Sequence, residues 1–357
     1  MCVKPLLCLL LLACVFKIST THPRYAGIQA EMGPAPLRTK ESVCGRIEAG
    51  VEMRVSPQLD ARTSRRLQVS WWVPQVQSAD LIALYLTDPA VNLTAPLYTV
   101  LPSTNSGWSD TPLSETYLNY RHVFTSVCLG YWVVYWRGHE KMASSCLRTN
   151  PSWMSDHRED LGRLQLTELF IPGTHDSAAY SVTYQPREET RYDKYVFTQA
   201  ESVLSQLVHG VRYLDLRLGY HKSNGGFFSH HGFAKLRHFQ GVIDDLIVFL
   251  KNSKDIVIID LHHFPVGFKS EENHKELVRY LERELSEYMA TPALGWRATL
   301  EDVWRTGKQL IVSYNNKAIV SKGTHKLWYP VTQRWGDVKT VEGLREYLQS
   351  VMKRQPL

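Results

Sequence analysis

The chain has 357 residues, of which 44% are hydrophobic and 21% charged. That is the composition of a globular protein with room for two domains, and it excludes a disordered or fibrous chain. A formal charge of +6 is mildly basic and is no nucleic-acid stripe, so nucleic acid is not an expected partner.

The chain opens MCVKPLLCLLLLACVFKISTTHP. Lys4 gives a positive start, Pro5 to Phe16 is an apolar run, and small residues follow from Ser19 to Thr21. This pattern reads as a secretory signal peptide over 1–21, and the expected location is extracellular. An uncleaved anchor is the rival reading, but the apolar run is too short to span a bilayer. Loss of Lys4 and Lys17 lowers the formal charge from +6 to +4. Such a surface tolerates an anionic membrane, so peripheral membrane contact is expected. Cys2, Cys8 and Cys14 leave with the leader, while Cys44, Cys128 and Cys146 remain. Two of these three can pair in an oxidising compartment, and the sequence does not say which. Asn92-Leu93-Thr94 is a glycosylation sequon. In Asn150-Pro151-Ser152 the proline blocks it.

Residues 44–148 read as an all-β sandwich of about 100 residues. The expected strands are RRLQVSWWVP, ADLIALYLTDP, APLYTVLP, HVFTSV and GYWVVYWRG. Their many aromatics, Trp71, Trp72, Tyr131, Trp132, Tyr135 and Trp136, are read as core. A turn-rich connector, LRTNPSWMSDHRED, follows.

From residue 160 to 357 the pattern changes to alternating strands and helices. LTELFIPGTHDS reads as a strand. TQAESVLSQLVHG reads as a helix, capped by Thr198 with Glu201 completing a capping box and Gly210 at its end. GVRYLDLRLGY and GGFFSHHGF are strands, and FQGVIDDLIVFLKNS is helical. DIVIIDLHHF is a near-continuous apolar strand, EENHKELVRYLERELSEYM an amphipathic helix, and LIVSYN a further strand. KLWYP offers a sixth strand, and TVEGLREYLQSVMKR a final helix. The pattern predicts an α/β domain built on a parallel sheet, open or closed as a barrel.

Each of these strands turns polar at its C-terminal end. The ends carry Thr174-His175-Asp176, then Asp215 and Arg217, then His230-His231, then Asp260 with His262-His263, then Tyr314-Asn315-Asn316. In a parallel α/β barrel those ends converge on the active site. Two histidines can divide general-base and general-acid work, because imidazole titrates near neutrality. An arginine offers a fixed fork of donors suited to phosphate. The combination suits cleavage of a phosphodiester by a neighbouring hydroxyl of the substrate. No Gly-rich nucleotide loop and no Gly-x-Ser-x-Gly elbow is present.

In order and spacing, IPGTHDS, GVRYLDLRL, HHGF and DIVIIDLHHF resemble the X-domain of phosphatidylinositol-specific phospholipase C, over roughly residues 160 to 330. The resemblance implies a TIM-type (β/α) barrel. It makes His175 the general base and His231, rather than His230, the general acid. In the calcium-dependent members two acidic ligands lie one residue apart on the second strand, and here those positions are Asp215 and Arg217. The implied type is therefore the metal-independent one, in which the guanidinium takes the calcium's place and no cofactor is needed. Asp176 stands where the calcium type has Asn, and His262 where it has Glu. The catalytic set is thus His175, His231, Arg217, Asp215 and Asp176, and Asp260, His262 and Tyr314 are assigned to substrate binding. The expected partner is a phospholipid or another phosphodiester.

A complete barrel of this kind takes about 250 residues. Residues 160 to 357 supply fewer than 200, and no late aspartate matches the one that orients the family's base. The barrel is therefore expected to be incomplete at its C-terminal side. The alternative to an enzyme is a non-catalytic secreted relative that binds a headgroup. A magnesium-dependent phosphodiesterase would need a carboxylate cluster, and Arg217 argues against it.

Overall fold

The computed structural model describes residues 49–56, 65–114, 123–180, 190–323, 326–334 and 336–353. The leader read at 1–21, together with Cys44, lies outside them. The described residues divide into two compact units, one of 49–153 with 190–210, the other of 154–180 with 211–353. No helix among them is long and apolar enough to cross a membrane.

The first unit holds strands β1 (Gly50–Val55), β2 (Arg66–Trp72), β3 (Asp80–Tyr85), β4 (Tyr98–Val100), β5 (Ser106–Ser114), β6 (Cys128–Arg137) and β7 (Glu140–Arg148). They form two antiparallel sheets, ordered β1-β2-β5 and β4-β3-β6-β7. Strand alternation sends Leu67, Val69 and Trp71 of β2 into one core with Ile82, Leu84, Val133 and Tyr135 from the other sheet. Asp80, at the start of β3, is among the buried polar groups of this unit. Tyr135 Oη donates to Asp80 Oδ2 at 2.8 Å, and Arg137 Nε donates to Asp80 Oδ1 at 2.8 Å. The guanidinium hydrogen bond holds Asp80 at about 2. The cysteine question is settled for two of the three, because Cys128 and Cys146 form a disulfide between β6 and β7. HVFTSV, read as a strand, is an irregular segment among its described residues.

Helix α1 (Trp153–Asp156), from its second residue on, and helix α2 (Arg158–Leu161) begin the second unit, followed by β8 (Gly173–Thr174). The strand expected over LTELFIPGTHDS thus shrinks to two residues. Proline cannot donate to a ladder, and the Pro172 carbonyl instead accepts from the Arg212 and Tyr213 amides at 2.9 and 3.1 Å. Helices α3 (Arg191–Val196) and α4 (Val203–Val208) belong to the first unit. α4 starts later than expected: its cap is Ser202, whose hydroxyl accepts from the Ser205 amide, and not Thr198. Gly210 closes it with φ 106°, a left-handed conformation suited to glycine.

The second unit continues with β9 (Tyr213–His221), β10 (Gly226–His231), β11 (Ala234–His238), α5 (Gln240–Asn252), β12 (Val257–Val266), α6 (Glu271–Leu285), α7 (Leu300–Arg305), β13 (Leu310–Tyr314), α8 (Lys317–Val320) and α9 (Val341–Lys353). Its sheet runs β11-β10-β9-β12-β13, with β8 beside β9. β8, β9, β12 and β13 are parallel, as expected. β10 and β11 are antiparallel. Only residues 222–225 join β9 to β10, far too few for the crossover that a parallel pair needs. The sheet is mixed and open among the described residues. One parallel bridge, Ser313 to Trp328, extends it past β13 and is what remains of the strand expected at KLWYP.

One ion pair locks the start of the central strands. Arg212 and Asp255 are both wholly buried. Arg212 Nε and Nη2 donate to Asp255 Oδ2 at 2.9 and 2.7 Å. The same carboxylate accepts from the Met154 and Ser155 amides at 3.0 and 2.7 Å. It thereby ties α1 to the residues that launch β9 and β12. Removal of one partner leaves a buried charge with no counterion. Asp255→Ala should cost about 3–5 kcal/mol in urea unfolding. Pairing it with Arg212→Met should recover part of that loss. A loss of under about 1 kcal/mol for the single substitution would show that the pair does not anchor the sheet.

Candidate active site

The site begins with a turn. Past β8, the Asp176 amide donates to Asp215 Oδ2 at 3.1 Å, and the Ser177 amide donates to the Asp215 carbonyl at 2.8 Å. Ser177 Oγ closes the turn on the Thr174 carbonyl at 2.9 Å. Asp176 adopts φ 43°, in the left-handed region that costs a non-glycine residue energy. The bonds to Asp215 hold it there and present His175 from the end of β8.

Arg217 lies two residues past Asp215 on β9, on the same face of the strand. Its Nη2 donates to His175 Nε2 at 2.5 Å and to Asp215 Oδ2 at 3.2 Å. Its Nε lies 3.7 Å from Asp176 Oδ2. Four of the residues expected to be catalytic therefore meet around one guanidinium. The fifth, His231, faces His175 edge-on, with ring centroids 6.4 Å apart.

The register of β12 decides the next layer. Asp260 pairs with Asp215 on one side and Ser313 on the other. Asp260 is fully buried and accepts from Tyr213 Oη and Ser313 Oγ at 2.6 Å each, and from Gln333 Nε2 at 3.2 Å. His262 Nδ1 is 3.7 Å away. Asp260 thus stands beneath the site and backs His262, which is partly exposed. The ladder then slips, so that His263 stands opposite Arg217. Such a bulge re-aims side chains. It brings His263, which the sequence reading left out of the site, beside Arg217. Tyr314 is the one assigned residue taken away from the group. It pairs with Leu261, not Asp260, and so takes the opposite face. Its buried hydroxyl meets His274 Nδ1 at 2.7 Å. Ser313 is the residue of β13 on the site's side.

The electrostatics follow from burial around a fixed cation. His175 is held below the ordinary histidine range, chiefly by burial and then by Arg217. Its Nε2 accepts from Arg217 and is bare, which is the form a base requires. Burial pushes Asp176 up to about 8, with Asp215 adding to the rise and Arg217 opposing it. Burial also raises Asp260, against the hydroxyls that donate to it. Calcium takes six to eight oxygen ligands. Here the guanidinium already bridges the two carboxylates, so the donor set does not suit that ion. No group of three His, Cys, Asp or Glu side chains among the described residues is arranged to hold a metal.

The chain is 30% identical over 230 residues to the human PI-PLC X domain-containing protein 1, covering 58% of this chain and 69% of that one. It is 26% identical over 219 residues to the Danio rerio protein of the same name. The chain belongs to the PI-PLC X domain-containing proteins. A solved structure of phosphatidylinositol-specific phospholipase C from Staphylococcus aureus is 22% identical with a TM-score of 0.38, over 54% of this chain and 63% of the bacterial one. No family model matches the chain.

Asp176 gives a pH test. Its carboxyl in the folded chain is raised from 3.8 to about 8. The folded state therefore binds this proton more tightly than the unfolded state does. The stabilisation is full below about pH 4 and is lost as pH rises towards 8. Asp176→Asn, which cannot ionise, should gain in melting temperature over the parent chain, and by more at about pH 8.5 than at about pH 5. A gain that is the same at both pH values would contradict a protonated Asp176.

Proposed function

We propose that this protein cleaves a phosphodiester by the metal-independent route of the phospholipase C type. The observation that carries the proposal is the contact of Arg217 Nη2 with His175 Nε2, in a group with Asp215, Asp176 and His231. The phosphate enters between the two histidines. Arg217 turns its donor from His175 to a phosphoryl oxygen, which neutralises charge and frees Nε2. His175 Nε2 takes the proton of a substrate hydroxyl, whose oxygen attacks phosphorus. The bond from phosphorus to the leaving oxygen breaks, and His231 gives that oxygen its proton. Asp215 and Asp176 flank the guanidinium, and His262 and His263 stand at the polar end of β12.

The names of the relatives point to a phosphoinositide lipid as the substrate, taken at a membrane surface by peripheral contact. Nucleic acid is not a partner in this reading. The strand-end geometry supports a (β/α) barrel of the family's kind. An extracellular location is supported by the Cys128–Cys146 disulfide and by the exposed sequon at Asn92. One observation favours the alternative, a headgroup-binding relative without turnover: the sheet is open among the described residues.

Turnover of a water-soluble inositol phosphodiester separates these readings. It should be unaffected by EDTA and by added calcium. His231→Ala should lose about 10² to 10⁴-fold with an alkyl leaving group, and far less with a nitrophenyl group that needs no proton. Loss of turnover in EDTA with recovery in calcium would overturn the metal-independent route. Binding of the diester without turnover would establish the alternative.

A further inference from the structure

The proposed chemistry leaves His230 without a task, although it is the more deeply buried of the two adjacent histidines. His230 has a partner of its own. Its Nε2 lies 2.8 Å from His221 Nε2. The two rings are nearly parallel, 8° apart in plane, with centroids 5.0 Å apart. Gly219 makes room for this arrangement, since a Cβ there would collide with the His230 ring. β9 and β10 are otherwise joined by the ladder from Gly226–His221 to Ser229–Leu218. The imidazole bond crosses that ladder above Gly219 and fastens β10 to β9 at the residue before His231.

A bond between two imidazoles needs one N–H and one bare nitrogen. A pair with one extra proton keeps the bond by a change of tautomer. A pair with two cannot, because two N–H groups then oppose each other and both rings are charged. His221 and His230 face each other, with Phe228 edge-on to His221. Lys235 of β11 is the charged group that acts on both rings. Burial, first, and then these positive neighbours hold both histidines below the ordinary range.

We propose that the His221–His230 bond is a positioning element for His231, set by the β9–β10 pairing and undone in acid when both rings take a proton. This rests on the reading of His231 as the general acid. His221, which is only half-buried, is the residue to vary. His221→Leu removes the bond. It should lower kcat by about 10 to 10²-fold with an alkyl leaving group, the scale of a displaced catalytic group. With a nitrophenyl leaving group it should change kcat little. The amide of His221→Gln can donate to a bare Nε2 of His230. This conservative variant should recover most of the rate, and its acid fall in kcat should move to lower pH. Nitrogen shifts of the imidazoles in the full chain without substrate should show His221 and His230 titrating as one coupled pair.

Independent titration of the two rings would overturn the proposal. So would a folded His221→Leu chain with unchanged rates, or with equal loss for both leaving groups. If the unsubstituted chain turns over neither substrate, the reading of His231 fails, and the positioning role falls with it. An active unsubstituted chain with an indifferent His221→Leu variant removes the positioning role alone.

Discussion

The guanidinium of Arg217 is the charge around which the site is arranged. A cation in a partly dry site must be met by fixed partners. β9 supplies Asp215 at the two-residue spacing of a strand, and the turn after β8 supplies Asp176 and His175. The left-handed φ of Asp176 is held by its amide bond to Asp215. Without Arg217 the buried Asp215 would lose the cation beside it, and Asp176 would lose the neighbour that opposes the rise in its pKa. Burial, and after it the same cation, keeps His175 free of a proton, so fold and chemistry share one group.

Beneath it the sheet stacks its polar groups in layers. At the base, Arg212 and Asp255 neutralise each other and cap the strands through the amides of α1. One layer up, Asp260 takes donors from Tyr213, Ser313 and Gln333. Asp215 lies level with Asp260 in the ladder, and above them come Arg217 and His263, again opposite each other. A buried polar group left without a partner costs about 1–3 kcal/mol, and more if charged. Arg212 with Asp255, Asp260 with Tyr213 and Ser313, and Arg217 with Asp215 are the pairings that make these charges tolerable in the sheet.

The sequence carried much of this. Strands β9, β12 and β13 and helices α5, α6 and α9 follow from apolar runs and helical periodicity. What it did not carry is traceable to particular chemistry. β1, β5, β7 and β11 escaped notice because GVEMRV, SGWSDTPLS, EKMASSCLR and AKLRH mix polar and apolar residues on half-exposed edges. The antiparallel turn of β10 is set by a connection of four residues, a signal present in KSNG but overridden by the expectation of a parallel sheet. Tyr314 was placed one residue off the face that Ser313 occupies, since register is not written in a strand's own residues. His263 joined the site through a bulge, which breaks the period that a sequence reading assumes. Cys128 and Cys146 pair across β6 and β7 although the ladder sets them opposite Arg148 and Trp132, so neither register nor a spacing rule gives the disulfide.

The central claim is that burial, reinforced by Arg217, holds His175 neutral and ready to accept a proton. The direct measurement is the titration of the His175 imidazole by nitrogen chemical shift, in the parent chain and in Arg217→Gln. In the parent His175 should titrate below about 6.5, the ordinary histidine value. In Arg217→Gln its pKa should rise, because the positive neighbour is gone while Asp215 and Asp176 remain. An ordinary or raised value in the parent, or no change on losing Arg217, would contradict the account.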